Sequence, residues 1–420
     1  MNNNKQYKSD SILKKRIRKF KTIKRAYYSL IILCIIYLFS LLSIFFVNST
    51  AIIIKYTNSS YDSGEEFVDL NNNKLWDEGE AHIDKPQYYY PLFKKIFKNS
   101  EYEASFFGQE YINGKKRYGK PHYRLLKKEF NNNGNGDFVL MPLYPYDPYE
   151  EVLSELDEEF TDINGNGYWD KNEPLIDNNR NGIRDEYRPP SIPDSYHVMG
   201  TDNQGRDVLS RIVYGFRISI TFALIVVSFS YLIGIIVGAC LGYFGGKLDL
   251  YGLRIIEIYA SIPFLFVIMM LAAFIRPSIF ILSGLLIIFS WVGICYYVRG
   301  EFYREKSKDY VSAAIAMGQN HWNVMFKHIL PNALTPVITY APFAIMGNIT
   351  YLVALDYLGF GLQPPTPSWG ELINQAAGNL QNWHLVVFPL IFLAITLFLI
   401  TLISEGFRAA FDPKVHSRLR

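Results

Sequence analysis

The stretch 253–299, LRIIEIYASIPFLFVIMMLAAFIRPSIFILSGLLIIFSWVGICYYVR, contains two apolar runs, 253–275 and 278–299, separated only by Arg276 and Pro277. At 1.5 Å of rise per residue, each is long enough for a helix to cross a hydrocarbon layer of roughly 30 Å. A soluble core helix needs no such length. The pair therefore predicts a tight hairpin of two membrane spans.

Similar runs lie on either side, near 27–54, 216–243, 333–355 and 384–405, which makes six predicted spans. The runs are continuous rather than alternating, so helices are expected and not barrel strands. The first run is about twice the length of a signal-peptide core, and no small-x-small cleavage site follows it, so residues 27–56 read as an uncleaved first helix. Residues 1–26 ahead of it carry ten Lys or Arg and one acid, Asp10, the mark of a cytoplasmic anchor. The loops 244–252, 300–332 and 406–420 are basic, whereas 356–383 has no Lys or Arg, which predicts both termini in the cytoplasm. The polar block 57–196 then lies outside, and 413–420 forms a cytoplasmic tail.

The stretch 300–332 is too polar to span. It reads as two short helices separated by Gly318-Gln319-Asn320, with Val311, Ala314, Ile315 and Gly318 on one face and Trp322, Met325 and Phe326 on another. Pro331 closes the second helix. Exposed apolar residues on a cytoplasmic loop imply a partner surface; the plainer alternative is that the loop packs under the bundle or lies at the lipid interface.

This loop, Asp309-Tyr310-Val311-Ser312-Ala313-Ala314 … Gly318 … His328-Ile329-Leu330-Pro331-Asn332, resembles the "EAA loop" of binding-protein-dependent ABC importer permeases. Ser312 stands where the motif's name has Glu. Three further segments resemble the second permease subunit of the dipeptide/oligopeptide subfamily. They are 197–217, with Gly200, Thr201, Asp202, Gly205, Arg206 and Asp207; 242–249, followed by Arg254, Glu257 and Pro263; and 358–370, LGFGLQPPTPSWG. The resemblance covers 197–412 and the first span. It implies an all-α membrane protein with the type I ABC importer permease core, working by alternating access in the cytoplasmic membrane. It also implies a second permease subunit as heterodimer partner, two cytoplasmic ABC ATPases and an extracytoplasmic solute-binding protein, with peptides as cargo. Tyr310, Ser312, Ala313, Ala314, Gly318, His328, Pro331 and Asn332 would then belong to the ATPase-coupling loop. Glu257, one turn inside a span, reads more simply as a headgroup-level partner of Arg254 than as a functional acid.

The 57–196 block contains calcium-loop spacing. Asp162, Asn164, Asn166, Gly167, Tyr168, Asp170 and Glu173 put ligands at positions 1, 3, 5, 7, 9 and 12, with glycine at 6. Asp69, Asn71, Asn73, Asp77 and Glu80 repeat the pattern with Lys74 in place of the glycine. Asp177, Asn179, Asn181 and Asp185 form a third copy, with Arg188 at the bidentate position. Phe67 with Phe160 and Trp76 with Trp169 extend the match, so the first two copies are an internal repeat. The block has no cysteine, so a bound ion is the expected brace.

The chain has no G-x-x-x-x-G-K-[ST] loop, His-x-x-x-His pair or nucleophile elbow, and its three cysteines (Cys34, Cys240 and Cys295) all lie in apolar runs. Catalysis, including ATP hydrolysis, is therefore not expected on this polypeptide, nor is nucleic-acid binding. Two alternatives remain open at this point: an importer of nickel or another small solute, and a calcium-responsive membrane sensor or scaffold.

Overall fold

The computed structural model describes residues 12–57, 86–94, 96, 111–112, 115–116, 123–133, 136–151, 161, 163, 169–171, 173–175, 189–378 and 381–411. They fall into two compact units, one of 1–40, 190–202 and 211–420, the other of 41–189 and 203–210.

The first unit begins with α1 (Ile12–Thr22) and α2 (Lys24–Leu41). The apolar run continues past Leu41, but the long helix does not. From Leu41 the chain belongs to the second unit, where it passes through the short α3 (Ser43–Phe46) and becomes strand β1 (Ile53–Thr57). The expected helix over 27–56 is thus cut short. Asn48-Ser49-Thr50 interrupts it, and the β-branched Ile52-Ile53-Ile54 suits a sheet better than a helix.

In the second unit β1 is central, antiparallel to β2 (Pro86–Tyr89) and, after the two-stranded ribbon β3 (Tyr111–Ile112) and β4 (Lys115–Lys116) and helix α4 (Tyr123–Asn133), to β5 (Phe138–Leu140). Ile54 faces Tyr89 on one side and Val139 on the other. With Ala51 they pack on Tyr123, Leu126 and Phe130, a small apolar core.

The remaining helices are α5 (Val208–Phe244), α6 (Gly246–Ala260), α7 (Phe264–Phe274), α8 (Ile279–Lys306), α9 (Asp309–Ala316), α10 (His321–Asn323), α11 (Leu330–Ala333), α12 (Thr335–Tyr357), α13 (Trp369–Ala377) and α14 (His384–Phe411). Among the described residues α2, α5, α8, α12 and α14 are each long and apolar enough to cross a membrane; α6 and α7, bent by 55°, make a sixth span only if taken together. The run 253–275 is therefore not one straight rod. Pro263 caps α7 where it cannot continue α6, and the chain turns there.

Glycine spacing sets the approach of α5 to α8. Gly234, Gly238 and Gly242 recur every four residues, and a Cβ added to them would lie 2.6 Å from the Trp291 carbonyl, 2.6 Å from that of Cys295 and 2.7 Å from that of Arg299. The backbones touch where side chains would otherwise stand. Replacing Gly238 by leucine should cost about 1–3 kcal/mol, read as a lower melting temperature in detergent. Gly284→Leu, where nothing lies within 4 Å of the added Cβ, should melt like the parent.

Candidate partner-docking site and its supports

Helix α9 ends on Met317, and Gly318 follows at φ 76°. The Gly318 N–H donates to the Ile315 carbonyl (2.9 Å) and the Gln319 N–H to that of Ala314 (3.2 Å), satisfying carbonyls that the helix end leaves open. Asn320 caps α10, and the chain then runs through a π-helical turn, Val324–Ile329, into α11.

Ala314 and Val311 do not form an exposed face. Both are buried among Ile294, Val298 and Phe302 of α8, Ala239 and Tyr243 of α5, and Val324, Met325 and Ile329. This part of the apolar side predicted for a partner covers the chain's own core instead, packing on the last turns of α5 and α8. Met325 turns inward with them, since the π-turn shifts the helical period. What remains outside is Met317 (74% exposed), Trp322 (53%), Ile315 (44%) and Phe326 (37%). The rings of Trp322 and Phe326 stack at 5.8 Å. Ser312, Ala313 and Pro331 are exposed beside them, and His328 is half-buried.

The loop is tied down at three points. Glu305 of α8 is buried and accepts from Lys308 (2.7 Å) and from the Tyr310 hydroxyl (2.8 Å); Asn332 donates to Tyr310 (3.3 Å) and to the His328 carbonyl (3.3 Å). Burial raises the Tyr310 pKa, so the hydroxyl keeps the proton it donates. On the other side Tyr243 of α5 bonds His321 Nδ1 at 2.8 Å, and Lys306 donates to the Tyr243 carbonyl. Beneath these, Arg299 and Tyr303 of α8 grip Asp249 of α6. Glu305 was not singled out from the sequence. A carboxylate in the last turn of a helix opposes the dipole, which is a readable sign that something holds it there.

The 197–217 segment divides between the units. In the first, Gly200 has φ 76° and no room for a side chain, since a Cβ would lie 2.4 Å from the Ser191 carbonyl. The Thr201 hydroxyl accepts from the Ser191 N–H, and the Thr201 carbonyl meets His384 at 3.0 Å. Asp202 pairs with Arg211 (3.4 Å), whose guanidinium also binds Glu371 and donates to the Pro365 and Thr366 carbonyls. In the second unit Gly205 is also left-handed, Arg206 is buried, and Asp207 accepts from the Ser210 N–H (2.7 Å) and the Tyr144 hydroxyl (2.6 Å). Glu257 pairs with Arg254 at 2.7 Å, both exposed.

Of the predicted calcium ligands, Asp69, Asn71, Asn73, Asp77, Glu80, Asp162, Asn164, Asn166, Asp177, Asn179, Asn181 and Asp185 lie outside the described residues. Glu173 is buried, and its carboxylate accepts from the N–H of Ile163 (2.9 Å) and of Asp170 (3.0 Å). Among the described residues no group of three metal-ligating side chains comes together.

Residues 230–417 match the family model described as binding-protein-dependent transport system inner membrane component. The peptidoglycan transport system permease protein YejE of Agrobacterium fabrum is 34% identical over 401 residues, 96% of this chain and 93% of its own. The oligopeptide permease OppC of Haemophilus influenzae is 39% identical over 53% of this chain and 71% of its own, and the dipeptide permease DppC of Bacillus subtilis 32% over 56% and 73%. An inward-facing structure of the MetNI methionine ABC transporter aligns with 48% of this chain and 96% of its own, at 19% identity and a TM-score of 0.40.

Proposed function

Because this chain belongs to the inner-membrane permeases of binding-protein-dependent transport systems, we propose that it is one of the two membrane-spanning subunits of an ATP-driven importer of peptides. It is a transport subunit and not an enzyme; ATP hydrolysis is carried by separate chains. The peptide cargo is supported by relatives whose names specify oligopeptide, dipeptide and peptidoglycan transport. Those relatives give no support to the sensor or nickel readings.

One observation carries the coupling role: Ile315, Met317, Trp322 and Phe326 stand exposed on a segment whose other side is locked into the bundle core. Covering the apolar area that these side chains still expose would favour docking at roughly 25 cal/mol per Å². A partner that docks there and moves would carry α9, α8 and α5 with it as one body, through Glu305 and Tyr243. On this reading α9 faces the cytoplasm and the basic N-terminus lies on the same side. An extracytoplasmic binding protein delivers the peptide to the opposite end of a heterodimer. Uptake of a labelled dipeptide by cells lacking the chain tests the assignment. Restoring the chain should restore uptake, and unchanged uptake in its absence would refute the cargo.

We also propose that the repeated loops of the 57–196 block bind calcium to brace it. The spacing of two copies supports this, as does Glu173, the twelfth position, folded back onto positions 2 and 9. About millimolar calcium should raise the melting temperature of the whole chain relative to chelator, and Glu173→Gln should shrink that rise. No rise in the parent would end the proposal.

A further inference from the structure

In the first unit, α1, α8, α12 and α14 enclose a cavity of about 530 Å³ next to α9. Four cations line it, Arg16, Arg304, Lys308 and Arg408, against two carboxylates, Glu301 and Glu305. Both carboxylates are engaged: Glu301 by Arg304 at 2.5 Å, and Glu305 by Lys308 at 2.7 Å and the Tyr310 hydroxyl. Arg16 and Arg408 are left over. Arg16 donates to the Thr335 hydroxyl (2.9 Å) and lies over the Phe411 ring at 5.4 Å, with no carboxylate against it among the described residues. Arg408, one turn before Phe411 on α14, has no anionic partner among the described residues.

Two guanidiniums from different helices thus line one cavity with no carboxylate paired to them among the described residues. Burial already lowers the Arg16 pKa, the sign of a cation short of solvent. An anion placed between them would gain from both, and the planar fork of Arg fits phosphate oxygens in pairs. On the membrane assignment, the cavity falls at headgroup level. It lies at the ends of membrane-length helices, beside the amphipathic α1, which turns Phe20 in against Gly406 and Ala26 and leaves Lys14, Lys15 and Lys21 exposed. Basic pockets between membrane helices at this depth suit phospholipid phosphates.

We propose that this cavity is a phosphate-binding site, held by Arg16 and Arg408 and filled by the headgroup of an anionic phospholipid. The proposal rests on the membrane assignment and is independent of the coupling role.

The test is the melting temperature of the purified transporter in detergent, with phosphatidylglycerol, phosphatidylcholine or inorganic phosphate added. Phosphatidylglycerol should raise it by several degrees and phosphatidylcholine should not. Arg408→Gln, which breaks no contact among the described residues, should melt like the parent without lipid and need about tenfold more phosphatidylglycerol for the same rise. Lys21→Gln, the same charge change on the exposed side of α1, should respond like the parent. If Arg408→Gln responds like the parent, or phosphatidylglycerol gives no rise, there is no such site. If inorganic phosphate gives the whole rise, the lipid assignment is overturned and the site belongs to a soluble anion. Melting requires neither ATP nor cargo, so failure here would leave the importer reading untouched.

Discussion

Replacing Arg211 by methionine should remove the folded chain from the membrane. Its side chain is fully buried, as is that of Asp202, and Glu371 is 11% exposed. The guanidinium pairs with both acids and also donates to the Pro365 and Thr366 carbonyls, so one side chain joins α5 to the segments at 202 and 365–371. Methionine keeps the volume and removes the charge that two buried carboxylates share. The cost should be about 3–5 kcal/mol, enough to consume much of the stability of an ordinary domain. Arg211→Lys should recover only part of it, because a single ammonium cannot serve two acids and two carbonyls in the geometry of the fork. Adding Glu371→Gln to Arg211→Met should restore some stability by removing one stranded charge. Thermal melting of the three variants checks the order. If Arg211→Met melts like the parent, this cluster is not what joins the segments.

The second large effect should appear in function without any change in fold. Met317→Glu together with Trp322→Ala alters two side chains that are 74% and 53% exposed. Surface changes of this kind leave stability within about 0.5 kcal/mol, so the chain should melt as before. Loss of an apolar anchor and entry of a charge into a covered interface should nonetheless cost well over tenfold in uptake and release the ATPase chains on purification. Ala314→Leu should behave in the opposite manner. Ala314 is buried among Phe302, Val298 and Val311, so the larger side chain should lower the melting temperature first and affect assembly only as a consequence. The two variants therefore separate contact from support.

These differences show how far the residues could be read in advance. Length and apolarity reveal spans because nothing else needs twenty apolar residues in a row, and five of the long helices lie where the runs do. Direction is another matter. Hydropathy does not register the 55° turn at Pro263, nor that Ile52-Ile53-Ile54 pairs with β2 and β5 when the apolar run before it has no further helix to extend. In the 309–332 loop the apolar positions were legible but not what each one covers. Val311 and Ala314 serve the chain's own core, and Ile315, Met317, Trp322 and Phe326 do not. Arg211 and Glu371 are 160 residues apart, so no local pattern could join them. Gly234, Gly238 and Gly242 did offer a signal, a small residue every four positions, and it went unread.

The central functional claim is that the exposed edge of α9 and α10 is where the ATPase docks. A Met317→Cys variant, made with the exposed Cys34 replaced by serine, tests it in the assembled transporter. The account predicts that a short bifunctional thiol reagent joins position 317 to the ATPase chain, and that assembly shields it from maleimide labelling. Labelling at the same rate with and without the ATPases, and no cross-linked product, would contradict it.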